Sequence, residues 1–551
     1  MGKMDGGEVE QLLKKHPHLQ KYVEIVKRRI GKPAFYSILP YDLKGETKPN
    51  LIYTTKDPVF IHIYRADDME EMEYHAIEPT LNEVEKEKHD SLLKLIIKKA
   101  PEKKSAISND ELKEILKELM DDIIEIDEKA GNVKPTKKGA KGKVSKSGKI
   151  KATSVQKNAI EYFIIKDIIG GGPIECFMRD PYIEDVHIVA GEKIHLIHKV
   201  FKMIKTNVEI DKDDAPLFTR KLSEKMGVPV SEGRPIVDGV LPDGSRGNII
   251  YSSAISKKGP SMTIRRFNET PISITQLIKW GTLSSGIAAY LWICLQYGRS
   301  FFLCGGTACG KTATMNALIP FIPPERKIYT TEGTPELQVP HVVWQRLLTK
   351  TSGPKEGQVD MFDLLRAALR SRPDYIIPGE VRGAEGNIVF QAMQTGHPCM
   401  TTFHAGNVTK VIQRFTGDPI NVPKTFMDNL DFVVIQLLIE QNGKSMRRVT
   451  SIDEIEGYNK AVDGIMSRTA FEWDSINDEH MFKANRNSFI LEEKIARNAG
   501  YTDPVEIYGE YDLRKHILER MVEENIMDYY KVVKCIWDYY RKGEKGLPMT
   551  I

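Results

Sequence analysis

Six cysteines in 551 residues, Cys176, Cys294, Cys304, Cys309, Cys399 and Cys535, form no C-x-x-C pair. Such sparse spacing supports neither a disulfide framework nor a zinc knuckle, and it fits a reducing cytoplasm. Long apolar runs are also missing: none reaches the roughly 18 to 20 residues that a spanning helix needs. Met1 to Glu10 lacks the apolar stretch of a leader peptide, so any membrane contact is expected to be peripheral. A charge of one sign is absent as well, because 79 Lys+Arg nearly cancel 76 Asp+Glu and leave +3. A nucleic-acid or anionic-membrane footprint would therefore have to be local. What is present is the composition of a soluble globular protein, 41% apolar and 28% charged, which excludes fibrous, disordered and integral membrane classes.

The length implies three or four domains. Between Lys134 and Lys151 the chain carries eight lysines and no acid, too little apolar surface to offset chain entropy. Residues 131–152 are accordingly expected to form a flexible Lys-rich linker, with an acidic membrane surface as a candidate contact. Before it, Leu112, Ile115, Leu116, Leu119, Met120, Ile123 and Ile124 recur with the period of a half-buried helix. Another helix is expected over Val9 to Ile30, with Pro17 as a breaking point, and strands over Phe35 to Leu39 and Val59 to Tyr64. Residues 1–130 thus read as a small α+β domain without a chemical motif. Residues 153–267 read as a second α+β domain, 268–273 as a hinge linker, and 274–551 as an α/β domain of βαβ units with a helical tail.

The chemistry begins at Gly305-Gly306-Thr307-Ala308-Cys309-Gly310-Lys311-Thr312, followed by Ala313. A short apolar run precedes this loop and a helical pattern follows it. The pattern is G-x-x-x-x-G-K-T in the strand-loop-helix context that lets backbone amides and a helix N-terminus face phosphate. Lys311 would neutralise the outer phosphates of ATP and the Thr312 hydroxyl would reach Mg²⁺. A binding loop still needs a carboxylate on the metal side and a group that activates water. Glu380 ends a strand-like run from Asp374 and is the metal-side candidate; Glu332 and Glu336 follow another strand and are the candidates for polarising water. His397 and His404 flank the run Met400 to Phe403.

In order, Gly305 to Thr312, Thr331 to Leu337, Arg372-Pro373-Asp374 leading into Gly379 to Arg382 with Glu385, and Thr395 through Ala405 resemble the Walker A, Asp, Walker B and His boxes of the type II/IV secretion ATPases. Gly172-Pro173-Ile174, Asp180 to Asp185, Leu241 to Arg246 and Thr263 to Phe267 extend the resemblance, which covers about residues 155 to 460. His404 to Asn407 followed by Thr416 to Pro423 is most similar to the archaeal branch, and within it to the archaellum motor ATPases; archaeal pilus-assembly ATPases are close relatives.

The resemblance implies a RecA-like C-terminal domain and a homo-hexamer with active sites between it and the preceding domain. It also implies a polytopic membrane platform protein and other archaellum components as partners, without a specific nucleic acid. Glu336 would be the water-activating base, Glu332 its companion, Glu380 the metal-side acid and His404 a γ-phosphate sensor, with transition-state charge from Arg234, Arg246, Arg265 or Arg266. Gly333 stands where the family carries Asp, which favours Glu336 over Glu332 as base. The rival classes are a DNA translocase, which would line its pore with basic residues, and a nucleotide-gated scaffold that hydrolyses slowly.

Overall fold

The computed structural model describes every residue except 1–2, 41–42, 44, 56, 67–70, 103–108, 129–148, 268–269, 351–354, 442–443 and 551. Most of the linker expected over 131–152 therefore lies outside the described residues, as do the first two residues of the hinge expected over 268–273. The linker's final residues are ordered: Ile150–Ala152 forms a strand paired in parallel with Ile124–Ile126. The chain divides into two compact units, Met1–Phe267 and Asn268–Ile551.

The first unit is organised by one ten-stranded sheet. Four strands come from its first half, Ala34–Tyr36, Asn50–Thr54, Phe60–Tyr64 and Glu73–Ile77. The last of these pairs with Lys202–Glu209 through Glu73↔Lys205 and Tyr74↔Thr206. Beyond it follow Lys193–His198, Ile183–Val189, Ser261–Arg265, Arg246–Ile250 and Ile236–Val240. The boundary drawn at residue 130 from the sequence thus cuts through a shared sheet. The physical reason is a common core, in which Tyr53, Ile61 and Ile63 pack in one cluster with Val186, Ile188 and Leu196. Asp180, fully buried, accepts hydrogen bonds from the Tyr53 hydroxyl at 2.5 Å and the Tyr74 hydroxyl at 2.9 Å, which meets the cost of burying a carboxyl group. Pro17 ends one helix pattern and opens the next: Gly6–Lys15 and Pro17–Arg29 are separate helices hinged at His16.

The second unit is α/β. Six parallel strands lie in the order Trp344–Leu348, Ile328–Glu332, Tyr375–Pro378, Met400–Phe403, Phe301–Cys304, Phe432–Gln441. The third and fourth are joined by the bridges Ile376↔Cys399 and Glu380↔Thr402. Three antiparallel strands, Lys444–Asn459, Gly464–Asp474 and Glu479–Phe482, extend the far side. The central strands Phe301–Cys304 and Met400–Phe403 are buried along their whole length because helices cover both faces. One of these helices, Ser285–Gln296, is buried on nearly every side, with Trp292 stacked on Phe321 at 5.1 Å between centroids. The C-terminal helices Ile507–Glu523 and Tyr529–Lys542 pack into the same core, where Tyr540 donates to the Phe321 carbonyl at 2.5 Å and accepts from Trp292 Nε1 at 2.9 Å.

Candidate nucleotide site

Parallel pairing places the ends of Phe301–Cys304, Met400–Phe403, Tyr375–Pro378 and Ile328–Glu332 along one edge of the sheet, where open α/β sheets hold ligands. The loop Gly305–Gly310 leaves the first of these strands and enters the helix Lys311–Leu318. Its shape is fixed from behind. A Cβ on Gly305 would overlap the Gln436 carbonyl oxygen, so only glycine fits there. Gly310 has φ +93°, the left-handed region open to glycine. Gln436 Nε2 donates to Cys309 O at 2.7 Å, and Arg447 Nε donates to Ala308 O at 3.1 Å. Lys311 is 9% exposed and folds over the loop, donating to Gly306 O at 2.7 Å and Gly305 O at 3.1 Å. Half-buried Thr312 has no side-chain partner among the described residues.

The acids gather at the same edge. Glu332 is 1% exposed; its Oε1 accepts from the amides of Glu336 and Leu337, both at 2.7 Å, and Arg346 Nε lies 3.3 Å from its Oε2. Burial nevertheless raises the Glu332 carboxyl to about 7, more than those amides and Arg346 pull it down. Glu332 is thereby committed to holding the turn that carries Glu336, whose own side chain is half-exposed. From the phosphate-loop helix, Asn316 donates to Glu336 O at 3.0 Å and accepts from Gln338 N at 2.9 Å, locking the acidic turn onto the loop's helix. At Gly333, a Cβ would meet nothing nearer than Thr349 Oγ1 at 3.9 Å, so the backbone does not demand the glycine found there.

Glu380 sits between these acids and His404. Arg382 donates to its Oε2 at 2.6 Å, and His404 Nε2 lies 2.9 Å from its Oε1. Burial first, and then the Lys311 charge, lower the proton affinity of His404, against the pull of Glu380. The donor set fits a triphosphate with a divalent cation: inward amides, an ammonium, an unengaged Thr312 hydroxyl, and the Glu380 carboxylate, whose Oε1 faces only His404.

The structure does not bring every expected residue here. His397 precedes Met400–Phe403, so it lies at the opposite edge of the sheet, with its Nδ1 3.1 Å from Thr395 Oγ1. It is not part of the constellation around Lys311, because six residues of strand and loop separate the two histidines. Arg234, Arg246, Arg265 and Arg266 belong to the other unit. There, Arg266 donates to the carbonyls of Phe177 and Asp180 at 2.7 and 2.9 Å, a structural engagement. Arg246 and Arg265 are exposed and directly opposite each other on paired strands, and Arg234 is exposed in a turn. Gln436, Arg447, Asn316 and Arg346 support the site without having carried any sequence signal.

Residues 170–531 match the family described as type II/IV secretion system protein. The chain belongs to that family. Across all of this chain and 99% of its own length, the uncharacterised protein MJ0900 of Methanocaldococcus jannaschii is 48% identical to it. Protein VirB11 of Agrobacterium fabrum is 28% identical over 43% of this chain and 76% of its own. Among solved structures, the Legionella pneumophila ATPase DotB aligns with 66% of this chain and 94% of its own at 17% identity, with a TM-score of 0.39. Membership accounts for the boxes around Lys311; the residues before 170 lie outside the match.

Proposed function

We propose that this secretion-family member is an ATP-hydrolysing motor that works as a hexamer beneath a membrane platform protein and drives assembly and rotation of an archaellum. The observation that carries the hydrolytic reading is the single sheet edge shared by Lys311, Glu336 and the pair Glu380–His404. ATP with Mg²⁺ supplies the phosphoanhydride and the charge that polarises it. Around that substrate Lys311 and the loop amides hold phosphate, Thr312 and Glu380 serve the cation, and Glu336 accepts a proton from the attacking water. Glu332 fixes the Glu336 turn, and His404 pairs with Glu380 beside the phosphate site.

Arg246 and Arg265 are the stronger arginine candidates. Like charges directly opposite on paired strands repel, and an anion between them relieves that cost. Their partners Asp238 and Asp185 stand at 3.9 and 3.4 Å, both in exposed pairs of little strength. An archaeal relative similar over its full length supports the archaeal branch. Among the described residues no helix is long and apolar enough to cross a membrane, which is compatible with a peripheral position at the cytoplasmic face.

The similarity to VirB11 favours a second reading, a secretion or pilus-assembly motor built on the same site. Replacing the gene in its host by a Lys311→Ala allele separates them. Loss of archaella and of swimming is expected; cells that swim normally but lack pili or a secreted product would transfer the assignment to the second reading.

A further inference from the structure

The first unit contains a cavity of about 760 Å³ that the nucleotide chemistry does not use. All of its wall except Arg179 comes from residues 15–165, ahead of the segment that matches the family. Its volume is that of a small-molecule site. Three helices begin at the wall, Pro17–Arg29, Glu83–Lys99 and Ser154–Ile168, which contribute Pro17, Asn82 and Val155. The partial positive charge of three helix starts therefore converges on one space. Asn82 and Thr153 close the second and third starts with capping boxes. His16 makes no capping bond to the first, and since Pro17 has no N–H, the amides of His18 and Leu19 are the ones left without a cap from it.

The side chains add charge of the same sign. Every acid on the wall is engaged: Asp57 holds Lys15 at 2.6 Å, Glu161 faces Lys117 at 3.8 Å, and Glu85 accepts the Asn82 amide at 2.9 Å. Arg179 lies 4.9 Å over the Tyr162 ring and is paired with Glu175 at 2.7 Å, so the wall cations left without an ion pair among the described residues are Lys21 and Lys113. His16 is 7% exposed, and its Nε2 makes no hydrogen bond, with Asp57 Oδ2 3.6 Å away. A surplus of cations around an uncapped helix start is the chemistry that selects phosphate.

We propose that this cavity binds a phosphate-bearing ligand, with Lys21, Lys113 and the uncapped start of Pro17–Arg29 as its anion contacts. The phosphate belongs either to a soluble compound or to a lipid headgroup, and two probes distinguish these sources. The full-length protein is titrated with inorganic pyrophosphate by calorimetry, both as wild type and with Lys311→Ala, which removes the phosphate loop's own contribution. The same protein is sedimented with vesicles of phosphatidylcholine, with and without phosphatidic acid.

Saturable binding of pyrophosphate or of the acidic vesicles is expected, weakened at least about tenfold in a Lys21→Glu, Lys113→Glu double variant whose ATP turnover is unchanged. Pyrophosphate alone would point to a soluble ligand, acidic vesicles alone to a headgroup. Should that variant not fold, Lys21→Gln with Lys113→Gln is expected to weaken binding about threefold or more. Binding of neither probe, or binding equal to the wild type in the folded variants, would overturn the proposal.

Discussion

Glu332 and Glu336 stand four residues apart in different surroundings. A carboxyl that two amides and an arginine hold in place can brace a turn, whereas one that is half-exposed beside the phosphate loop can take a proton from water. Glu336→Gln is therefore expected to lower steady-state ATP turnover by about 100-fold or more while ATP still binds, read by turnover and by equilibrium dialysis. Unchanged turnover would remove Glu336 as the base. For Glu332 the test is stability against pH. Its carboxyl titrates near 7 in the folded chain against about 4.5 when exposed, so the folded state binds the proton more tightly. Below pH 4.5 both states are protonated and nothing is lost. Between 4.5 and 7 stability falls, and above 7 the full cost is about 3 kcal/mol, from about 1.36 kcal/mol per pH unit. Relative to Glu332→Gln, the wild type is expected to lose about that much unfolding free energy between pH 4.5 and 8, measured by urea denaturation. Parallel curves would show that Glu332 titrates normally.

At the scale of elements, the site depends on how the acidic turn is fastened to the helix Lys311–Leu318. Asn316 makes both fastenings, so Asn316→Ala is expected to cost about 1–3 kcal/mol in stability and to lower kcat for ATP more than it raises KM. An equal rise in KM with kcat intact would show that Asn316 serves binding alone. The strands and turns at this edge are legible in the sequence because each carries its chemistry locally. Phe301–Cys304 leads straight into the glycines, Ile328–Glu332 ends on its acid, and Tyr375–Pro378 stops two residues before Glu380. The braces were not legible. Gln436 and Arg447 come from strands more than 120 residues beyond the loop they hold, and Arg346 meets Glu332 only because strand Trp344–Leu348 pairs beside Ile328–Glu332. No short spacing encodes such contacts. The sheet shared across residue 130 escaped for the same reason: its joining pair, Tyr74 and Thr206, is set by register between distant strands. His397 shows the converse failure, since seven positions from His404 is near in sequence but the length of a strand away in space.

At the scale of the whole molecule, the C-terminal helices are part of the second unit's core. Ile536 is fully buried there, and Ile536→Ala is expected to destabilise the second unit by about 2–5 kcal/mol, lowering its melting transition. A change within about 0.5 kcal/mol would mean that the tail packs independently. The phosphate loop and its acids lie in the unit Asn268–Ile551. The proposed hydrolysis rests first on the grip of Lys311. The most direct measurement is steady-state ATP turnover by purified Lys311→Ala protein whose circular dichroism matches the wild type. The expected result is a loss of at least about 100-fold; turnover at the wild-type rate would contradict the assignment of this edge as the site of hydrolysis.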